Sequence, residues 1–312
     1  MTTASPRQRD TVLVTGASGL LGSGVVTKLR ERGTRVLATD AFPRADEVTV
    51  LDVTQPTAIH SLVAKEQVTG IVHCGGISGP MVARDNPQSI IDINIGGTAN
   101  LLEAARVHGV RRLVFCSSLT VYGNTDEGPV PETTATQPTS VYAASKVAGE
   151  ALVNAYATQH GVDGISLRIG TVYGPGRRTA CFIRTLLQNA AVGTETVLPF
   201  GRDFPRQYLY VQDAVDALVH AWDTKSPVHR VFNATGDSYL TLPQIAEIAS
   251  GIVPGVVARF EDGPDPDDPD RQGQLTAQRA SDELGFTARW SLAEGIKAYA
   301  NDLFLPEDRS HD

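Results

Sequence analysis

The chain is poor in sulfur and in large aromatics: 312 residues hold three cysteines, two methionines and two tryptophans, and aromatic side chains total 6%. Cys74, Cys116 and Cys181 lie far apart and show no metal-ligand spacing, so neither a disulfide framework nor a metal site is expected. Cys74 and Cys116 fall in strand-like apolar runs and read as buried thiols, the kind a reducing cytoplasm preserves. Long apolar stretches are missing too; none approaches the ~20 residues of a membrane-spanning helix. The opening segment MTTASPRQRD lacks the apolar core of a secretory signal, and reads as a loose polar tail. A basic excess is also lacking: 27 Lys and Arg face 35 Asp and Glu, a net charge of −8. That balance argues against a nucleic-acid partner. It leaves an anionic small molecule open, because a few local arginines can dominate an acidic surface. No internal repeat is present.

What the chain does have is alternation. Short runs rich in Val, Ile and Leu recur at 11–16, 35–40, 48–53, 70–76, 111–118 and 164–174. They are apolar on both faces, as strands of a parallel sheet covered on both sides are. Helical patterns separate them, at about 20–32, 97–109 and 142–161. The pattern predicts an α/β fold with a doubly wound parallel sheet. After Gly174 the alternation weakens. Strands are expected at 197–200, 208–211 and 230–235, and helices at 213–223, 242–250 and 291–304. Residues 11–174 therefore read as the main domain, with later segments completing its sheet. Residues 175–305 read mainly as a smaller C-terminal lobe that binds substrate. The acidic, proline-rich run 261–273 cannot be helix or strand and reads as a surface loop, a candidate lid.

Between the first strand and the first helix lies TGASGLLG. Gly16 permits a tight turn, Gly19 lets backbone approach a pyrophosphate, and Gly22 lets helix and strand pack closely. The helix start then points N–H groups and its dipole at the phosphates. Asp40, ending the second strand, suits the two ribose hydroxyls of a dinucleotide and repels a 2′-phosphate, so NAD is favoured over NADP. Asp52 and Val53, after the third strand, are placed for the adenine ring. The plainer role for Asp52 is to cap the strand end.

Tyr142 and Lys146, in SVYAASK, are four residues apart and share a helix face. A free phenol ionises only near pH ~10, and an ammonium beside it favours the anion that can take a proton from a hydroxyl. Ser117 and Ser118 close the fifth strand, at the sheet edge where ligands bind. Ser118 is the better candidate to hydrogen-bond a reacting alcohol or ketone oxygen; the plainer reading is that one or both serines cap the strand. Together these residues point to hydride and proton transfer at a carbinol carbon, with a nicotinamide as hydride carrier.

Four segments, TGASGLLG, SSLTVYG (117–123), YAASK (142–146) and LRIGTVYGPG (167–176), resemble the extended short-chain dehydrogenase/reductase superfamily. More narrowly they resemble its NAD-dependent sugar epimerase/dehydratase family. The likeness runs from about Thr11 to Leu305 and implies a Rossmann fold. It makes Ser118, Tyr142 and Lys146 the catalytic set, with Lys146 also holding the nicotinamide ribose. It puts Gly16, Ala17, Ser18, Gly19, Leu20, Leu21, Asp40, Asp52 and Val53 on the cofactor. Cys74, Gly75 and Gly76 match a cofactor-contacting turn in which the family usually has alanines. Asn94 matches an asparagine beside the site. Arg206 matches an arginine on the diphosphate of nucleotide-sugar substrates, and Arg271 a second one. The resemblance further implies a homodimer built on helices near 90–109 and 142–161.

Three departures bear on the reaction. Dehydratases of this family place an acid pair after the catalytic hydroxyl; here Leu119 and Thr120 stand there, which speaks against dehydration by that route. Epimerases usually carry asparagine before VYGP; here it is Thr171, counted as substrate-binding. The segment 77–87, with Ser78 also counted as substrate-binding, matches no pattern that names a substrate. The first expectation is an NAD-dependent sugar-nucleotide 4-epimerase that oxidises its substrate transiently and returns the hydride. The alternative is an NAD-dependent dehydrogenase of a free sugar, sugar acid or other hydroxy compound. A non-catalytic NAD-binding regulator is a third reading, disfavoured because tyrosine and lysine are both present.

Overall fold

A computed structural model of the chain describes residues 10–304. The tail expected at 1–10 lies, except for Asp10, outside the described residues, as does Leu305. Strands β1 (Thr11–Thr15), β2 (Arg35–Asp40), β3 (Thr49–Val50), β4 (Gly70–His73) and β5 (Arg112–Ser118) alternate with helices α1 (Leu20–Glu31), α2 (Pro56–Glu66), α3 (Pro87–Ile90) and α4 (Gly97–His108). A π-helical turn, Ile91–Gly96, joins α3 to α4. After α5 (Val141–His160) come β6 (Asp163–Ile169), β7 (Thr171–Tyr173), α6 (Phe182–Ala191), β8 (Thr196–Leu198), β9 (Pro205–Tyr210) and α7 (Val211–Asp223). The chain ends through β10 (Val231–Ala234), β11 (Tyr239–Thr241), α8 (Leu242–Ser250), β12 (Ala258–Phe260) and α9 (Leu292–Phe304).

Seven strands form one sheet in the order β10-β6-β5-β4-β1-β2-β3. Its pairs run parallel, in registers such as Thr11 with Arg35 and Gly70 with Arg112. The doubly wound sheet is therefore as expected. From β1 the chain winds outward through β2 and β3; from β4 it winds the other way. Ligands of such sheets bind at the carboxyl ends of the strands where the order reverses, here between the ends of β1 and β4.

The chain divides into two compact units. The first comprises the segments up to Ser118, Ser140–Leu167 and Val215–Phe232. Its core includes Leu13, Ile71, Leu113 and Phe115 from the sheet, against Val63, Leu101, Leu102 and Val153 from the helices. The second comprises Leu119–Thr139, Arg168–Ala214 and the chain from Asn233 onward. Its own core joins Ile183, Leu186 and Leu187 of α6 to Ile245, Ile296, Tyr173 and Tyr208.

Two expected strands come out differently. The run 164–174 is two strands: β6 belongs to the seven-stranded sheet and β7 to a three-stranded sheet ordered β11-β9-β7. The break falls at Gly170, whose amide donates to Ala234 O at 2.8 Å and where an added Cβ would lie 3.0 Å from Thr235 Oγ1. The third strand, expected over 48–53, is only Thr49–Val50, and both residues are exposed. It stops because Asp52 closes a turn instead, its Oδ1 accepting from Thr54 N and Thr54 Oγ1, each at 2.8 Å.

At the opposite edge of the first unit, Arg112 is buried and pins β5 to the start of β6 and the end of α7. Its Nε donates to Asp163 Oδ2 at 3.0 Å and its Nη1 to Ala221 O at 3.1 Å. Replacing Arg112 by leucine leaves Asp163 to Arg230 alone and strands buried carbonyls at the end of α7; the expected cost is about 2–3 kcal/mol. Urea melts measure it, and a loss below ~1 kcal/mol would mean that water replaces the guanidinium.

Candidate active site

The glycine turn is shaped by space. Gly16 has φ +69°, and a Cβ there would lie 2.6 Å from Gly75 N and 2.7 Å from Cys74 C and O. A Cβ on Gly22 would lie 2.1 Å from Gly16 O. Only glycine lets the turn after β1 touch the turn after β4 while α1 lies against the first of them. Gly19 caps α1 with no side-chain acceptor, and the first turn of α1 carries no acidic residue. Its first amides, at Leu20 and Leu21, are thus the orphan donors that bind anions. Ala17 N bonds Thr39 O at 3.0 Å and Ser18 N bonds Asp40 Oδ2 at 3.1 Å, tying the loop to the end of β2. Asp40 also accepts from Phe42 N at 2.9 Å. A carboxylate offers about four acceptor sites, so two backbone donors leave capacity for ribose hydroxyls. Asp52 is engaged in its own turn, and Val53 is buried against Gly97, where a Cβ would lie 2.5 Å from Val53 Cγ2.

The turn Cys74–Gly76 is held from below by Asn94, on the π-helical turn. Its Oδ1 accepts from Ile77 N at 2.8 Å, and its Nδ2 donates to Ile77 O at 3.1 Å and to Ser145 Oγ at 3.0 Å. Asn94 therefore clamps the segment after β4 to α5. Gly76, with φ +147°, is forced by the same side chain: a Cβ would lie 2.8 Å from Asn94 Oδ1. Ser78 lies exposed just beyond.

Beneath this clamp runs a chain that residue patterns did not single out. Thr98 Oγ1 donates to Asn94 O at 2.6 Å, so it accepts from His73 Nε2 at 3.1 Å. With the ring neutral and Nε2 donating, Nδ1 accepts from Thr15 Oγ1 at 2.7 Å, and Thr15 Oγ1 in turn accepts from Gly75 N at 3.3 Å. These directions put the imidazole proton on Nε2. The only hint in the sequence is a histidine inside a strand that is otherwise apolar.

Ser140 starts α5 by accepting from Ala143 N at 3.1 Å. Tyr142 and Lys146 then face inward on the first turns, each 7% exposed. Lys146 Nζ donates to Cys116 O at 2.8 Å and stands 5.0 Å from the Phe115 ring centroid and 5.7 Å from that of Tyr142. Gly149 allows this approach, since a Cβ there would lie 2.4 Å from Phe115 Cζ. Ser117 donates to buried Glu150 at 2.5 Å, a partner not foreseen. Ser118 is buried at the very end of β5. The first unit thus brings together the glycine turn, Asp40, the β4 turn, Asn94, Ser118, Tyr142 and Lys146.

Thr171, Arg206 and Arg271 belong to the second unit. Thr171 opens β7 and pairs with Tyr208 of β9. The buried Arg206 donates from Nη2 to Asp268 O at 2.7 Å, and its guanidinium stacks 4.5 Å from the Phe204 ring centroid. Arg271 stands 5.8 Å from the same ring, with carboxylate oxygens of Glu127 and Asp203 at 3.6 and 3.8 Å. Phe204 and Asp268 were not anticipated. The far end of the candidate lid is sewn down: Arg271 N bonds Asn124 Oδ1 at 2.9 Å, Gly273 N bonds Thr125 Oγ1 at 2.8 Å, and Thr139 Oγ1 bonds Asp270 Oδ2 at 2.5 Å.

Residues 12–235 match the model of the NAD dependent epimerase/dehydratase family, and the chain belongs to that family. It is 30% identical to GDP-L-fucose synthase 1 of Arabidopsis thaliana over 91% of this chain and 90% of that one. It is 28% identical to UDP-glucose 4-epimerase of Corynebacterium glutamicum, covering 96% and 98%. A UDP-glucose 4-epimerase from Thermotoga maritima, solved with UDP-glucose, superposes with a TM-score of 0.86 at 25% identity over 94% and 98% of the two chains. A partial consensus L-threonine 3-dehydrogenase superposes with a TM-score of 0.85 at 25% identity over the same shares. The family cofactor is NAD, and the uncapped helix start, the space kept by Gly16 and the spare capacity of Asp40 fit it. Among the described residues no helix is long and apolar enough to cross a membrane.

His73 gives the site a pH signature. Burial, then the Lys146 ammonium, push its imidazole down to about 3, from 6.5 in the unfolded chain. Below about pH 6.5 the unfolded chain binds a proton that the native state refuses. Stability is therefore full above that pH and falls towards pH ~3, by at most about 5 kcal/mol. His73→Gln, which can keep one donor and one acceptor, should remove about one proton from the pH dependence of unfolding between roughly pH 6 and pH 4. Urea melts across that range read the slope, and an unchanged slope would refute the neutral, unprotonated imidazole.

Proposed function

We propose that the protein is an NAD-dependent nucleotide-sugar 4-epimerase. The observation that carries this reading is the pairing, in one unit, of an open dinucleotide cradle with Tyr142 and Lys146 anchored beside the end of β5. The UDP-glucose 4-epimerase relatives support it. So do buried Leu119 and Thr120, which offer no acid for a dehydration. Asp40 takes the adenosine ribose, Asp52 and Val53 the adenine side, Gly16 to Leu21 the pyrophosphate, and Cys74 to Gly76 with Asn94 the nicotinamide side. When bound, NAD supplies a hydride acceptor at the carbinol carbon and a hydride donor for the reverse transfer. Tyr142, as phenolate, withdraws the hydroxyl proton and later restores it. Ser118 hydrogen-bonds the reacting oxygen, and Lys146 holds the nicotinamide ribose beside Tyr142. Arg206 and Arg271, both near the Phe204 ring, bind the substrate's diphosphate through charge-assisted hydrogen bonds. Ser78 and Thr171 contact the sugar. Dinucleotide binding thus falls to the first unit and substrate recognition mainly to the second.

A plain dehydrogenase of a hydroxy compound is the second reading. Thr171 at a position where the family's epimerases carry asparagine favours it, as does the similarity to a threonine dehydrogenase. Stoichiometry separates the two: the epimerase converts sugar without accumulating NADH.

We further propose a cytoplasmic homodimer formed through helices near 90–109 and 142–161, on which Ile91, Val107 and Val141 stay exposed. A monomeric mass in sedimentation would set the dimer aside, and cell fractionation tests the location. Tyr142→Phe should lower kcat at least ~100-fold with NAD still bound, read by sugar analysis and by mass spectrometry; a rate near wild type would sink the acid/base assignment. Arg206→Ala should raise KM for nucleotide-sugars roughly 10-fold or more without doing so for free sugars. Equal effects on both would remove the diphosphate role.

A further inference from the structure

Cys74 and Cys116 directly succeed His73 and Phe115, which are paired in the β4–β5 ladder. They stand side by side at the carboxyl edge of the sheet, their sulfurs 3.4 Å apart and both thiols free. Neighbouring strands lie about 4.8 Å apart, within the roughly 4.4–6.8 Å Cα separation that a disulfide accepts. Side-chain rotation and a shift on the order of 1 Å would close the bond. Cys74 is the more exposed of the two.

We propose that Cys74 and Cys116 are a modification site at which a hydroperoxide forms a reversible disulfide that disables the turn after β4. The Cys74 thiolate attacks the outer peroxide oxygen, the O–O bond breaks, and an alkoxide leaves and takes up the thiol's proton. The product is a sulfenic acid on Cys74. The Cys116 sulfur then attacks the Cys74 sulfur. The S–O bond breaks, and hydroxide departs as water with the Cys116 proton. Two thiols have given two electrons to one peroxide, and a small thiol reverses the bond by exchange. The S–H···S bond shared with Cys116, then burial, push the Cys74 thiol well above its usual range, and the Lys146 ammonium offsets part of this. Thiolate is therefore scarce near neutrality, and oxidation speeds up as pH rises.

Little slack surrounds the pair. Cys116 O is the acceptor for Lys146 Nζ. The backbone of Cys74 and Gly75 lies against Gly16 with no room for a Cβ. Drawing the two sulfurs together shifts an anchor of Lys146 and the floor of the glycine turn at once. That loss of activity rests on the function proposed above; the cross-link itself does not.

The test uses the purified full chain, reduced and then treated with hydrogen peroxide, with and without saturating NAD. Remaining thiols are alkylated and mapped by mass spectrometry. The expected result is a Cys74–Cys116 cross-linked peptide, a loss of two hydrogens from the intact mass, and Cys181 still alkylated. NAD should slow the reaction, alkaline pH should speed it, and dithiothreitol should restore both alkylation sites. Cys116→Ser should leave Cys74 as a sulfenic or sulfinic acid without any cross-link. Full alkylation of both thiols after oxidant, or stable oxidation of Cys74 alone in the wild type, would overturn the proposal. Mapping needs no substrate, so a cross-link found in a protein without epimerase activity would leave this inference standing and count against the reading of function.

Discussion

The site is built on a place where backbone meets backbone. The turns after β1 and β4 touch because Gly16 and Gly75 leave nothing between them, and α1 can start there only because Gly22 adds no carbon against Gly16 O. Two close approaches thus converge on one glycine, one through its carbonyl and one against the Cys74–Gly75 peptide. That contact sets the direction of α1, its uncapped amides and the gap at the reversal of strand order. A single methyl group at Gly16 would both press on the β4 turn and demand a left-handed backbone that side chains resist. The contact therefore ties the turn after β1 directly to the turn after β4.

Those parts of the site that depend on local rules were legible in the sequence. The glycine spacing reads out steric needs within eight residues, and Tyr142 and Lys146 share a face because a helix repeats every 3.6 residues. The apolar runs gave the sheet because strands buried on both faces leave few alternatives. The parts that were not legible depend on distant partners. The break at Gly170 reflects Thr235 and Ala234, more than sixty positions downstream. The clamp by Asn94 depends on a π-helical turn, whose extra residue per turn leaves no mark in apolar periodicity. The stacking of Arg206 and Arg271 about Phe204 needed the fold to bring 204, 206 and 271 together. The candidate lid illustrates the same limit, since composition excluded helix and strand but could not report the hydrogen bonds that fasten its far end.

Polar groups under the cradle are satisfied in one consistent direction. Gly75 donates to Thr15, Thr15 to His73, His73 to Thr98 and Thr98 to Asn94 O, while the Asn94 side chain both receives from and gives to Ile77. A buried network with every member paired resists rearrangement, because any broken link leaves an unsatisfied group. Here it fixes the turn after β4 to β1, to the π-helical turn and to α5, without using a charged residue to do it.

Lys146 is the charge that this neutral network leaves room for. It is almost wholly buried, yet it has a backbone carbonyl at one side, an aromatic face at another and the Tyr142 ring nearby. Its ammonium helps hold His73 unprotonated and opposes the rise in the Cys74 thiol. One buried ammonium thus acts on both an imidazole and a thiol beside it. Burial first, and the lysine second, deny His73 a second proton and let it serve as a strut, while Lys146 itself is held by the carbonyl of Cys116. The Lys146 charge, held by the carbonyl of Cys116, therefore adds to burial at His73 and works against burial and the sulfur hydrogen bond at Cys74.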